Sequence, residues 1–424
     1  MGDFPFASNP GSVLNGHSSS VAGVWSAPFE LRARHTIIQG IFRPRHELPA
    51  YCNPIALFLA VWLVMLLSLT FHVSYVIYPY FETPFLIFLV STGSLLLGFF
   101  ACTAVLERDG PRSESTWYVL DATVLWRLNL LFCVLALVLI GLNWFTSGPP
   151  PAIGDPTTYL TYGKLKQVLF PLLTCVAVNA TLDTSRLRRY LFITFGLGWL
   201  GLYVARGVLL LTFLQMFFLY SLRSSMSRKK QYLLFLGAFG VAIAGMTIIG
   251  DLRTAHDIFI EFLQIRDKYS DWPTAFLWVV SYISIPFSNL CWTVAHGPTH
   301  GPTFAFLYPL LPSFMAPADP YADVYGGMNI IDGASTYLQT YALDFSYLGI
   351  YFANLFIGIG CGWLVVRSYP RHILILAIFL TSISLLFFSD FFLLLSIVIQ
   401  VGLQAFVQKH CFQWETRLQE QSRT

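Results

Sequence analysis

Charge is what this sequence has least of. Only 11% of its 424 residues are Asp, Glu, Lys or Arg, against 56% hydrophobic and 17% aromatic. With a mean hydropathy of +0.63, that scarcity excludes an ordinary soluble globular chain. Repeated apolar runs of about 20 residues read as membrane spans. The formal net charge of +3 is too small to imply nucleic acid as a partner. Paired cysteines are also lacking. Cys52, Cys102, Cys133, Cys175, Cys291, Cys361 and Cys411 show no disulfide framework and no C-x-x-C spacing, so they read as small apolar filler. Neither G-x-x-x-x-G-K-[ST] nor G-x-G-x-x-G follows a predicted strand, which disfavours soluble nucleotide chemistry.

Metal-binding patterns are missing too, and neither a metal nor a cofactor is expected. His296 and His300 are four apart, but Gly297 and Pro298 between them deny helical spacing. The phrase "DPYAD", with Asp319 and Asp323, lacks a dense carboxylate cluster and reads as a solvated turn. Acidic residues and histidine are absent from the interiors of most predicted spans, which disfavours a proton- or sodium-driven carrier. Asp121 and Arg127 lie near one end of their span, where a local pair or snorkelling is enough.

What is present is a set of ten predicted spans: 53–71, 84–106, 118–144, 167–183, 189–205, 207–222, 232–250, 346–366, 373–389 and 391–408. The expected fold is therefore an all-α polytopic membrane protein. A flexible and then basic segment, 1–51, precedes a transmembrane domain over 52–408, and a tail over 409–424 follows it. The segments on the side of the N-terminus are rich in arginine and lysine, among them Arg32, Arg34, Arg43, Arg45, Arg186, Arg188, Arg189, Arg223 and Lys230. The positive-inside rule then predicts N-terminus and C-terminus in the cytoplasm, with 251–345 as a long outer loop between spans seven and eight.

Three features break the regular pattern. Two short spans meet at "YVARGV", leaving Arg206 with no acid near it in sequence. A guanidinium at the outer bilayer boundary suits a multidentate grip on phosphate oxygens. A surface helix is expected over 252–268, with Arg253 and Asp257 four apart, as are Asp257 and Glu261, and with Ile258, Phe259, Phe262 and Ile265 toward the bilayer. Arg266 and His256 belong to the same charged group. The apolar stretch 273–294 is expected to be an interfacial or re-entrant helix within the outer segment. That segment is also loaded with aromatics, which suit an interfacial belt or the stacking of sugar rings.

Several phrases together resemble the bacterial oligosaccharide repeat-unit polymerases, the Wzy-type, O-antigen polymerase-like family. They are "ARGVLLL", "GDLR", "YISIPFSNL" and "STYLQTYALDFSYLG". The "DFSYLG" phrase, Asp344 to Gly349, resembles a D-F-G-x-x-G pattern, with Ser346 standing where glycine is usual; Thr336 matches a recurring threonine. The resemblance implies a GT-C-like, membrane-embedded inverting glycosyltransferase in the bacterial inner membrane. Its substrates would be two undecaprenyl-diphosphate-linked glycans at the periplasmic face, with membrane lipid around it and a flippase and chain-length regulator as possible partners. Asp344, His256 and Glu261 are the candidate bases. Arg206, Arg253 and Arg266 are the candidate diphosphate ligands, and Thr336 and Tyr341 complete the substrate-binding set. An O-antigen ligase of related fold and a non-enzymatic glycan transporter are the alternatives. A ligase would carry a histidine-led motif where "STYLQTYALDFSYLG" stands.

Overall fold

The computed structural model describes residues 41–42, 50–75, 82–107, 118–154, 165–223, 263–296, 302–312, 336–368 and 372–414, with shorter pieces between them. All belong to one compact unit, residues 40–424. Its helices are α1 (Pro54–Thr70), α2 (Glu82–Glu107), α3 (Ala122–Ser147), α4 (Lys166–Ala180), α5 (Arg186–Leu202), α6 (Arg206–Arg223), α7 (Thr274–His296), α8 (Gln339–Trp363), α9 (Ile373–Ser384) and α10 (Leu395–Cys411). Among the described residues, α2, α3, α6, α7 and the α8 stretch Gln339–Val366 are long and apolar enough to cross a membrane, and α1, α4 and α9 are shorter apolar helices. Their outward residues are what lipid requires. Leu130, Leu131, Val134, Leu137 and Val138 on α3 are all exposed, a face that would be costly in water. The chain is a multi-pass helical membrane protein.

Local chemistry sets the helix ends. The Asn53 side chain accepts from the backbone N–H groups of Ile55 and Ala56, and Pro54 opens α1, where its missing donor costs nothing. Asp121 does the same for α3, accepting from Thr123 N at 2.9 Å and Val124 N at 3.0 Å. That cap bears out a local structural role for Asp121. It also moves the start of the third span from 118 to 122, because 118–120 are a strand.

That strand, β2 (Tyr118–Leu120), pairs antiparallel with β1 (Ile41–Phe42) and β3 (Phe412–Trp414), in register Ile41↔Val119 and Tyr118↔Trp414. The small sheet gathers the segment before α1, the α2–α3 connection and the C-terminal end at one end of the bundle. Polar contacts cluster there as well. Arg188 grips Asp183 at 3.0 Å, Arg189 donates to the Asp183 carbonyl, and Arg223 donates to the Thr181 carbonyl at 3.0 Å. The opposite end of the bundle is here called the far end.

Two cores divide the interior. One joins α3, α4, α6, α9 and α10; the other joins α1, α2, α7 and α8 around Trp62, Phe287 and Tyr337. The most extensive helix pairing is α2 with α8. A Cβ on Gly98 would overlap the Leu355 carbonyl, and one on Gly358 the Leu95 carbonyl. Small residues let two membrane helices approach to backbone contact, where dispersion replaces the hydrophobic drive that lipid removes.

The bundle departs from the sequence reading in four places. Of the interfacial and re-entrant alternatives for this stretch, the burial of residues 274–296 excludes the first. They form a helix packed against α1 and α8, with Ser281, Ser284, Ser288, Asn289 and Thr293 buried along it. Small polar residues on several faces let it sit inside protein, which an interfacial helix with one wet face cannot do. The surface helix expected to 268 also stops early. Gln264 has φ 48°, Ile265 forms an antiparallel bridge with Ser74, and Ile265 is buried among Val73, Leu263 and Leu277 rather than facing lipid. The eighth span begins at Gln339, with a break at Ser346. The ninth ends at Ser384, leaving a turn before Leu395. The predicted span 232–250 lies mostly outside the described residues; the positions described in it, such as 232, 236 and 240, are helical.

Candidate functional site

The break at Ser346 shapes the far end. Ser346 has φ 52° and ψ −136°, a region that glycine adopts freely and other residues avoid. It separates a short helical piece, 339–345, from the long remainder of α8. Gly349 then allows the two pieces to close on each other, since a Cβ there would collide with the Tyr341 carbonyl. Asp344 sits at the end of the short piece, buried at 3% exposure.

Its carboxylate is held on one side only. Oδ1 accepts from Thr303 N at 2.6 Å, Thr303 Oγ1 at 2.8 Å and Tyr321 Oη at 2.5 Å. Oδ2 is buried with no hydrogen-bond partner among the described residues. Burial, and next the contact with Asp344, push the Tyr321 phenol well above its usual range. Tyr321 therefore stays a donor and fixes Oδ1 as the acceptor. The backbone just after Thr303 is itself constrained, with Phe304 at φ 54°.

A continuous wall of contacts runs from Asp344 to Arg206. Phe306, three residues after Thr303, stacks on Tyr341 at 4.7 Å and 25°. Tyr341 donates its hydroxyl to Asp390 Oδ2 at 3.1 Å. Asp390 lies in the α9–α10 turn, where its Oδ1 also accepts from Phe392 N and Leu393 N. Burial pushes its carboxyl up to about 6, against the opposing pull of these three donors. Phe388, in the same turn, meets Tyr282 at 5.5 Å, and Tyr282 stacks on Trp278 at 5.2 Å and 20°. The Arg206 guanidinium lies 5.5 Å from the Trp278 ring centre, a cation–π distance. Beneath this wall is a cavity of about 560 Å³ lined by Phe306, Tyr341, Phe352, Phe356, Phe379 and Asp390 among others. Phe352 and Phe356 are exposed on its lipid side.

The predicted site residues thus separate. Asp344 and Tyr341 are in the site, and Arg206, at the first position of α6, is joined to it among the described residues only through Trp278, Tyr282 and Phe388. Arg266 is beyond Trp278: its backbone N–H donates to the Val73 carbonyl at 2.9 Å, and its guanidinium lies 5.0 Å from the Tyr75 ring centre. The Arg266 Nε is buried without a hydrogen-bond partner among the described residues. Thr336 is buried and turns the chain into α8, its hydroxyl accepting from Leu338 N at 3.4 Å. Glu261 is exposed. His256 and Arg253 lie outside the described residues. His296 ends α7, its Nδ1 2.8 Å from the Trp292 carbonyl.

Three residues of the site escaped the sequence reading. The phrase "DPYAD" is not simply a solvated turn, because its Tyr321 is fully buried against Asp344. Nothing local marks Tyr321 or Thr303, which meet Asp344 from 23 and 41 residues away. Asp390 did carry a signal: it is the one charged residue between Ile373 and Gln408, and an ionisable group in such a run warrants a functional question.

Fold and site together define a class, a multi-pass helical membrane protein with a buried one-sided carboxylate at one end and an apolar cavity opening to lipid beside it. No known protein family matches the chain, and neither a curated protein nor a solved structure matches it.

Proposed function

We propose that the chain polymerises lipid-linked oligosaccharide repeat units by inverting glycosyl transfer, with undecaprenyl-diphosphate-linked glycans as donor and acceptor. In this reading the sheet end is cytoplasmic, the far end faces the periplasm of a bacterial inner membrane, and the fold is GT-C-like. The observation that carries it is Asp344, whose Oδ1 is saturated while its buried Oδ2 is left to accept a proton. A general base needs that geometry: fixed orientation on one oxygen and a vacant lone pair on the other.

The chemistry follows in one displacement. The acceptor hydroxyl loses its proton to Asp344 Oδ2 as its oxygen attacks the donor's anomeric carbon. The bond from that carbon to the phosphate oxygen breaks, and the lipid diphosphate leaves with the electron pair. Arg206, beyond the Trp278–Tyr282–Phe388 contacts at the same end of the bundle, meets the negative charge that develops on the leaving group. The apolar cavity between α8 and the α9–α10 turn suits the isoprenoid chain, and Phe306 and Tyr341 offer ring faces for sugars.

The test is reconstitution. Purified protein in lipid vesicles, supplied with undecaprenyl-diphosphate-linked repeats, should give a glycan ladder, and Asp344→Asn should abolish it at equal protein amount. Asn keeps an oxygen for Thr303 and Tyr321 but cannot take a proton. A wild-type ladder from Asp344→Asn would overturn the assignment of the base. A protein that moves the lipid-linked glycan across the bilayer without lengthening it would be a transporter instead.

A further inference from the structure

At the sheet end, far from Asp344, the ends of α4, α5 and α6 meet and gather positive charge. The chain leaves α4 through Thr181 and Asp183 and enters α5 at Arg186. Asp183 is fully buried, and its carboxylate accepts from Arg188 Nε at 3.1 Å and Nη2 at 3.0 Å. Arg189 turns to the backbone instead, donating to the Asp183 carbonyl from Nε at 3.1 Å and from Nη2 at 2.6 Å. From α6, Arg223 donates to the Thr181 carbonyl at 3.0 Å. These hydrogen bonds hold the guanidinium groups of Arg189 and Arg223 against one short turn of backbone. Arg186, at the first position of α5, is exposed beside them.

Capping accounts for part of this. Thr181 is the C-cap of α4, where a basic side chain satisfies a terminal carbonyl and the helix dipole behind it, roughly half a charge. Asp183 lies beyond that cap, so the helix end does not call for Arg189. The carboxylate of the turn is paired with Arg188, and among the described residues neither Arg186 nor Arg189 has an ion-pair partner. The neighbouring side chains select the anion that would balance them. At 3.6 residues per turn, the order around the first turns of α5 is Arg189, Arg186, Tyr190, Leu187, Leu191, so a basic edge runs into an apolar one. Leu187, Tyr190 and Leu191 are 71%, 66% and 59% exposed. A small soluble anion makes no use of such a border, whereas a phospholipid brings chains that cover it. The planar fork of arginine matches two phosphate oxygens at once, and basic pockets between membrane helices hold anionic headgroups. We infer that the ends of α4, α5 and α6 bind the phosphate of an anionic phospholipid, gripped by Arg186 and Arg189 beside Arg223, with its chains along Leu187 and Leu191. The site is independent of the enzymatic reading.

Native mass spectrometry of the full chain in detergent tests this, with dioleoylphosphatidylglycerol and dioleoylphosphatidylcholine as probes. The anionic lipid should be retained several-fold more than the zwitterionic one, and equal retention would overturn the inference. Arg186→Gln leaves the contacts to Asp183 and Thr181 in place and should lower retention of the anionic lipid several-fold; Arg189→Gln should lower it further. Lys409→Gln, at an exposed basic position in the last turn of α10 at the same end, should leave retention unchanged. An equal loss in Arg186→Gln and Lys409→Gln would mean a diffuse basic surface and would overturn the site. Excess inorganic phosphate should not displace the lipid; displacement would make this a site for free phosphate instead. Should Arg189→Gln not fold, Arg186→Gln and the wild-type lipid comparison decide.

Discussion

Replacing Ser346 by glycine should stabilise this protein, although it removes a side chain from a membrane helix. Ser346 holds φ 52° and ψ −136°; a non-glycine residue in such a region costs on the order of 1–3 kcal/mol. Glycine removes that strain but gains freedom in the unfolded chain, an opposing effect of roughly 0.5–1 kcal/mol. Among the described residues the serine hydroxyl has no hydrogen-bond partner that would offset the gain. The net expectation is a stabilisation of about 1 kcal/mol, within a range of roughly 0–2.5, read as a higher Tm in detergent micelles. Gly349→Ala, three residues on, is the opposite case. Its new Cβ meets the Tyr341 backbone carbonyl, which cannot step aside as a flexible side chain would, so overpacking should cost about 1–3 kcal/mol or more. A lower Tm for Ser346→Gly would refute the reasoning, because it would mean that the break in α8 is not held against serine's preference.

Asp390→Asn should flatten the pH dependence of stability. The Asp390 carboxyl is raised from 3.8 to about 6, so its protonated form is favoured by folding; its contribution is complete below the unfolded value and lost as pH rises through about 6. The loss approaches about 3 kcal/mol by neutral pH, and thermal unfolding from pH 4 to 8 should show the wild type losing stability that the Asn variant keeps. Arg206→Lys should leave membrane abundance near normal yet shorten glycan ladders strongly, and Arg206→Ala should nearly abolish them, because lysine lacks the planar fork. Losing such a charged contact costs on the order of 2–5 kcal/mol; low abundance of both variants with activity per molecule unchanged would instead make Arg206 a helix anchor. Polymerisation should survive excess EDTA, since the sequence of the predicted outer segment carries no clustered carboxylate or His/Cys pattern of metal-ligand spacing. Loss of product restored by magnesium would show otherwise.

Hydropathy alone located most of the helices, because a backbone in lipid must satisfy its own hydrogen bonds and a long apolar run leaves little but helix. Arg206 was legible for the same reason: a guanidinium amid "GLYVARGVLLL" is costly enough to need an explanation. Asp344 was reached only through a resemblance to a motif, and its serine at 346 occupies a backbone conformation suited to the glycine that the motif prefers. The tertiary structure decided the rest. Whether 274–296 lies on the membrane or inside the bundle depends on which neighbours cover its faces, and hydropathy scores lipid and protein interior alike. Thr303, Tyr321 and Asp390 act at the site through contacts spanning 41, 23 and 49 residues. Sequence specifies the cost of burying each polar group; the partners that offset the cost are fixed only when distant segments pack.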